Sequence, residues 1–494
     1  MSPKKSECTP SPCHAESLRK NHPPQEWKKR VRLAYTLSTE ELTMPETETL
    51  FPLPEPKSDP ATETGGKPRL ETANREQVEI RYLALEDLLP EDHRARLVWA
   101  MVQAYDLSAF YARIEAVEGG AGRPAIDPRL LVAVWLYATL EGVVSGRELD
   151  RLCREHLAYQ WLLGGVTVNY HTLTDFRTAY AAALDDVLTK SVAALLSEGL
   201  VTLDRTAQDG VRVRASAGAS SFRRKPTLET CLREAQAVVD QQNALRQAHE
   251  GDPRSPQQAA AQQRQAEDRL ARVKKAQAAV EKLAAKKAKR RELKRKAQPA
   301  RVSTTDPEAR LMKMADGGFR PAYTGQLAMD MASRLIVGVA VSTEADAQEL
   351  QPMLDQLATR YGRRPREHYV DGGFRSHANI EQAAADGVTV FTPIPERRGI
   401  SPIPPADLLP TDGPGVRAWK TRMLTPEAKT EYKQRAATIE WANALARLRG
   451  LYQLTVRGAH KVRSVLLWFA LAHNLLQTAT LRAQRAAHRT PSAA

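Results

Sequence analysis

The sequence predicts a mixed α/β protein: a helical N-terminal region, followed by an α/β domain that carries an inserted helical hairpin. Three observations carry this expectation. Between about residues 76 and 200, apolar residues recur at helical spacing and are broken only by short polar turns. From residue 201 onward, short runs rich in Val, Ile and Tyr alternate with helical segments, the signature of an α/β layer. Within that second part, residues 226–298 hold two long apolar stripes at helical spacing, separated by HEGDPRSP, as in an antiparallel helical hairpin.

Each element follows in chain order. Residues 1–75 have little periodicity and much Pro, Thr, Glu and Lys, as in FPLPEPKSDPATETGGKP, and are expected to be a disordered basic and Pro-rich extension. Beyond Pro90, Leu97, Val98, Met101 and Val102 share one helical face. The break EGGAGRPAIDP precedes the apolar helix RLLVAVWLYATL, and SGRELDRL starts another helix with Ser145 placed to cap it. YHTLTDFRTAYAAALDDVLTKSVAALLSEGL supplies more helix, starting near His171 or Thr172. A helical region of this kind, over 76–200, can place a short helix in the major groove of DNA, or can serve as a packing and dimerisation module. The basic residues Arg147, Arg151, Arg154 and Arg177, read as exposed, favour the first.

VTLDRTAQDGVRVRASAG alternates Val211, Val213 and Ala215 with Arg212 and Arg214 and predicts a strand. In the hairpin, Leu228, Leu232, Ala235, Val239 and Leu245 form one stripe, and Leu270, Val273, Ala276, Val280 and Leu283 the other. It ends in the basic run EKLAAKKAKRRELKRKAQPAR, which is either a phosphate-tracking arm or a solvated helix face. YTGQLAMDMASRLIVGVAVS predicts two strands turning near Ala332 and Ser333. A helix follows over about 346–361, REHYVDGGF gives a strand ending at Asp371, SHANIEQAAADG a helix and VTVFTPI a strand. After a Pro-rich connection come TPEAKTEYKQRAATIEWANALARLRG and the nearly all-apolar KVRSVLLWFALAHNLLQTATLRAQ, a helix expected to be buried. Residues 481–494 are expected to form a flexible tail.

The chain of 494 residues is long enough for a substantial core, and its formal net charge of +14 favours a polyanionic partner, because each Lys or Arg beside a phosphate releases condensed counterions. The four cysteines, Cys8, Cys13, Cys153 and Cys231, contain no CxxC pair, which argues against a disulfide framework or a zinc site. No segment is read as a membrane span or a signal peptide, so a cytoplasmic, nucleoid-associated protein is expected.

Three acidic residues stand out for chemistry. Asp209 opens the first strand, Asp371 closes a later one, and Glu440 lies on the helix after the Pro-rich connection. Singly, an Asp-Gly is most often a turn and a helical Glu is most often solvated. Together, in order, in an α/β layer of a basic chain, they suit phosphoryl transfer, which commonly places two divalent ions between carboxylates. Asp204, before the strand, and Asp330, at the strand turn, read as structural. His368 and His377 flank Asp371, but hard divalent ions prefer oxygen, so both read as structural or DNA-facing.

These segments also resemble a known family, the DDE transposases of bacterial insertion sequences. GRPAIDPRLLVAVWLYATLEGVVSGRELDRL and NYHTLTDFR look like its helical N-terminal domain. QDGVRVRASA, YVDGGFRSHANI and EYKQRAATIEWANALAR look like its three catalytic motifs, with DPEARLMK, YTGQLAMD and LAHNL between and after them. The resemblance, over about residues 76–480, implies a ribonuclease H-like catalytic domain over 201–480 with the inserted hairpin, and a helical DNA-binding domain over 76–200. It implies that Asp209, Asp371 and Glu440 are the catalytic trio holding two Mg²⁺ or Mn²⁺ ions. It also matches Tyr432 and Arg435 to the family's Tyr and Arg before the Glu, and Arg447 to a position where Lys is usual; these three, with the basic Arg457 near the site and Arg147 and Arg177 of the helical region, are expected to contact DNA. The partners implied are double-stranded DNA, as the terminal inverted repeats of an element and its target, and at least a second copy of the chain. Two rival readings share the same residues: a transposase-derived DNA-binding protein that no longer cuts, and an RNA-processing nuclease.

Overall fold

The computed structural model describes residues 82–489 apart from 118, 121–122, 248–255, 292–298 and 396–407, together with 73 and 75–78. The extension expected over 1–75 and most of the basic run at the end of the hairpin therefore lie outside the described residues. Residues Arg81–Ala494 form one compact unit, so the helical region and the sheet belong to the same body.

The helical region comprises α1 (Arg94–Gln103), α2 (Pro128–Leu140), α3 (Gly146–Glu155), α4 (Leu157–Leu163), α5 (Tyr170–Ala179) and α6 (Ala181–Ser197). Their starts follow local chemistry. Asp127 accepts the Arg129 N–H just ahead of Pro128, Ser145 Oγ accepts the Glu148 N–H as expected, and Asn169 caps α5, whose first residue, Tyr170, lies one before the earlier start read from the sequence. In α2 every residue from Leu131 to Ala138 is buried, so this helix is the centre of the region rather than a surface element.

The sheet is mixed. Its central strand β1 (Arg205–Arg214) pairs antiparallel with β5 (Phe319–Asp330) on one side and parallel with β7 (Glu367–Tyr369) on the other, and β8 (Thr389–Phe391) continues parallel to β7. The far edge of β5 carries β4 (Arg310–Lys313) and β6 (Ile336–Ser342), both antiparallel. A small two-stranded sheet, β2 (Phe222–Arg223) with β3 (Val302–Ser303), stands beside it. The β5–β6 turn falls where the sequence placed it. The Asp330 carboxylate is fully buried there and accepts the N–H groups of Leu203 and Ser333 and the Ser333 hydroxyl, while the Asp330 backbone carbonyl accepts the N–H of Arg334 in its left-handed turn. His368 is equally buried, between the Thr206 hydroxyl at 2.8 Å and Gln208 Oε1 at 3.1 Å, and burial pushes its pKa down to about 3. Asp330 and His368 are structural, and neither reaches a surface where DNA could lie.

Helix α9 (Leu350–Tyr361) and helix α10 (His377–Ala385) pack on the parallel half of the sheet, and α11 (Pro414–Leu424) and α12 (Pro426–Arg435) follow the Pro-rich connection. A π-helical turn, Ala436–Glu440, separates α12 from α13 (Trp441–Leu448). The hairpin is present as α7 (Lys225–Gln247) and α8 (Pro256–Arg291). It is docked: Leu228, Ala276 and Val280 enclose Val302 of β3, and Lys286 pairs with Glu344 at 2.6 Å.

The last helix, α14 (Ala459–Arg489), corrects three expectations. It runs through most of the stretch expected to be a tail. Contrary to the expectation of no membrane-length segment, it is long and apolar enough to cross a membrane, yet 72% of its apolar window is buried within the protein. It packs against α2, α5, α6 and β6, and the Trp468 indole donates to the Arg177 carbonyl at 3.0 Å. The third correction concerns Arg177 itself. It is only 6% exposed, stacks over Trp135, and donates to the Val144 carbonyl at 2.6 Å and to Thr455 Oγ1 at 3.3 Å. Its spacing within α5 puts it on the buried stripe with Leu173 and Phe176, so it ties α5 to the rest of the core instead of facing DNA. Arg177→Gln is expected to cost roughly 2–4 kcal/mol of stability, as a lost buried hydrogen-bond network does. Denaturant titration beside a DNA-binding isotherm checks this: the unfolding midpoint falls while the salt dependence of binding stays put.

Candidate active site

The parallel register of β1 and β7 pairs Ala207 with Tyr369. Asp209 and Asp371 each lie two residues further along, so they come side by side where β7 ends, on strands about 4.8 Å apart. Residues 162 positions apart in sequence become neighbours because two parallel strands share a register.

Asp209 is largely buried, with 17% of its side chain exposed. Its Oδ1 accepts the Gly210 N–H at 2.9 Å, while Oδ2 accepts the Asn443 amide at 2.9 Å and pairs with Arg435 Nη2 at 3.2 Å. Burial pushes its pKa up, Arg435 and the Gly210 N–H pull it down, and the negative charges of Asp371 and Glu440 push it up again. The three carboxylates thus share one electrostatic neighbourhood.

Asp371 caps a single 3₁₀ turn, Gly372–Phe374, and its Oδ1 accepts the Gly373 N–H at 2.8 Å. The backbone on either side is fixed: the Tyr432 hydroxyl donates to the Val370 carbonyl at 3.1 Å and Thr392 Oγ1 donates to the Asp371 carbonyl at 2.9 Å. Neither glycine after Asp371 adopts a left-handed conformation. Gly373 is needed for close approach instead, since a Cβ there would stand 3.0 Å from Asp371 Oδ1 and 3.3 Å from Asp346 Oδ2.

Glu440 ends the π-helical turn. In an α-helix a residue five positions on is rotated by about 140° from the first, on a different face. The wider π turn brings Arg435 and Glu440 to the same face, and Arg435 Nη1 meets Glu440 Oε1 at 3.1 Å. One guanidinium, itself 8% exposed, therefore bridges Asp209 and the more open Glu440, at 56%. The Arg435 Nε and Asn443 Oδ1 are buried without a hydrogen-bond partner among the described residues.

Asp209 stands in the middle of β1 rather than opening it as expected, so the hard oxygen donors come from mid-strand, from the end of β7 and from a helix, and they are the ligand type that Mg²⁺ or Mn²⁺ takes. As folded, however, the trio does not fit a shared ion: among the described residues no group of three ligating side chains is placed to hold a metal, and the Arg435 guanidinium supplies the positive charge between Asp209 and Glu440.

Two site residues were not read from the sequence. Asp346, in a short 3₁₀ turn before α9, brings one carboxylate oxygen toward Gly373 and the other toward Gly210, where an added Cβ would lie 3.2 Å from it, and it accepts the Gln326 amide at 3.2 Å. Its only sequence signal is an acid at the start of a helix, which ordinarily answers the helix dipole. Asn443 could have been found from its place three residues after Glu440, on the same helical face. Burial first, then the charge of Asp371, raises the Asp346 pKa. A raised carboxylate pKa means that ionisation costs stability above that pKa and that the cost fades as pH falls through the ordinary carboxylate range. Asp346→Asn is therefore expected to raise Tm at pH 7, with the gain vanishing near pH 4, as thermal melts across that range will read.

The residues expected to contact DNA separate into different environments. Arg447 and Arg457 are exposed. Arg147 is exposed and stacks over Tyr170, whereas its neighbours Arg151 and Arg154 are neutralised on their own helix by Glu148, Glu155 and Asp150. The Tyr432 hydroxyl is engaged with Val370, and Arg435 with the two carboxylates. His377 is exposed at the start of α10, 3.9 Å from Asp412. Asp204, outside β1, uses its backbone carbonyl to accept the Glu367 N–H.

Comparison with known families adds one finding: residues 83–179 match a transposase domain, DUF772, the N-terminal domain of insertion-sequence transposases. No curated protein matches the chain.

Proposed function

We propose that this chain is a DNA transposase that cleaves DNA at the ends of an insertion sequence and joins the freed 3′ ends to target DNA, with Asp209, Asp371 and Glu440 as its acidic trio. The observation that carries the reading is the β1–β7 register, which sets Asp209 beside Asp371 in a chain whose residues 83–179 match a transposase domain. An antiparallel meander (β1, β5, β6) extended by two parallel strands, with the acids on the central strand and its parallel neighbour, also supports a ribonuclease H-like core.

In this reading Arg435 is the group that changes partner. A guanidinium grips phosphate oxygens in a bidentate fork as well as it grips carboxylates. An incoming phosphodiester draws Arg435 from Glu440, the more exposed of its two partners, and Arg447 adds charge from the same helical segment. Tyr432 and Asn443 position the trio, Tyr432 through the strand end at Val370 and Asn443 through Asp209. The two Mg²⁺ or Mn²⁺ ions belong to this proposal and require that Arg435 move first. Joining two DNA ends needs at least a dimer, acting on DNA in the cytoplasm.

The clamp of Arg435 on two carboxylates is the one observation that favours the alternative, a transposase-derived protein that binds DNA without cutting. A supercoiled plasmid carrying the coding sequence with its native flanks separates the two. Mg²⁺-dependent nicks at the flanks that leave 3′ hydroxyls support the transposase, and binding without nicks at any Mg²⁺ or Mn²⁺ concentration contradicts it.

A further inference from the structure

We infer that the helical hairpin completes a cleft for the phosphate backbone of DNA, lined by Arg269 and Arg272 of α8 and by Arg457 of the segment before α14. The identity of the anion rests on the reading above; the cleft itself rests on its charges.

The cleft holds about 280 Å³ and is otherwise lined by Cys231, Val273, Thr304 and Thr305. Among the described residues no carboxylate lines it. Three guanidinium groups from two remote segments converge there with little neutralisation. Arg272 makes no ion pair among the described residues. The nearest acid to Arg269 is Glu234 at 3.8 Å, with both side chains more than half exposed, a geometry worth little in water. Arg457 is fixed through its Nε to the Ser216 carbonyl at 3.2 Å, which orients the side chain without cancelling its charge. Like charges held together in this way repel one another unless an anion sits among them, and the Thr305 hydroxyl is of the kind that joins arginines on phosphate oxygens, while the Thr304 hydroxyl donates to the Ser221 carbonyl at 3.4 Å.

The position suits a duplex that also reaches the carboxylates. Ser216 lies seven residues beyond Asp209 along and just past β1, on the order of 20 Å at strand rise. That is about six base pairs of the same DNA. The docking of α8 on Val302 and the Lys286–Glu344 pair keep the hairpin wall of the cleft at that distance. The role of the inserted hairpin is then to extend the DNA path of the sheet body.

Fluorescence anisotropy on a labelled 30-base-pair duplex, from 50 to 300 mM salt, tests this with the full chain. The double variant Arg269→Gln/Arg272→Gln is expected to weaken binding roughly tenfold or more at the low-salt end and to reduce the slope of log affinity against log salt by about 2, at about 0.9 for each phosphate that is no longer neutralised. Arg272→Lys keeps the slope, and Arg264→Gln, a solvated arginine on the same helix, changes it little; matching circular dichroism and unfolding midpoints show that the variants are folded. An unchanged slope in the double variant, or an equal change in Arg264→Gln, overturns the cleft. Tighter binding to RNA of the same length overturns the assignment to DNA. If the wild-type chain binds no duplex, the transposase reading fails and this inference with it; if it binds and the double variant matches it, only the cleft fails.

Discussion

Asp371→Asn is expected to reduce DNA strand cleavage by roughly 10³-fold or more while leaving duplex affinity within about twofold of wild type. The substitution is close to isosteric, and Asn Oδ1 still accepts the Gly373 N–H, so the 3₁₀ turn at the end of β7 keeps its cap. Only the charge is removed. Asp209→Asn is the less clean probe, because it also strips Arg435 of its more buried partner and leaves a nearly buried guanidinium with Glu440 alone. Nicking of the flanked plasmid, read beside anisotropy on the same DNA, separates loss of chemistry from loss of binding.

Trp468→Ala is expected to lower stability by about 3–5 kcal/mol, the usual cost of emptying a large aromatic site. Trp468 is fully buried, packs near Phe176 and satisfies the Arg177 carbonyl. Helix α14 touches the helical region on one side and β6 on the other, and α6 adds to the joint by packing on β6 and α9 itself, with its Asp185 pairing with Arg360 of α9 and with Arg463 of α14 at 3.0 Å. The variant should therefore unfold both parts at a lower denaturant concentration and in one transition. Two separated transitions, with the sheet unaffected, would show that the helical region is held on by something other than α14.

Much of this arrangement was legible in the sequence because it depends on local patterns. Helix and strand order, the hairpin, the Ser145 cap and the β5–β6 turn all follow from periodicities and turn residues within a few positions of one another. The acidic trio was legible through the order of its motifs. What could not be read depends on packing between distant segments. Arg177 looks like any basic residue on a helix until α2, α14 and Thr455 close over it. Asp346 becomes part of the site only because Gly210 and Gly373 leave room for its carboxylate. The bridge from Arg435 to Glu440 depends on a π turn, which no apolar spacing announces, and it gives the trio a partner of its own among the protein's side chains.

The central claim is that Asp209 and Asp371 act as one site on DNA. It is tested most directly by comparing plasmid nicking by Asp209→Asn, Asp371→Asn and the double variant under identical Mg²⁺ conditions. Groups that act as a unit lose their function with the first removal, so the double variant should be no slower than the slower single variant. Losses that multiply, or a single variant that nicks at the wild-type rate, would contradict the account.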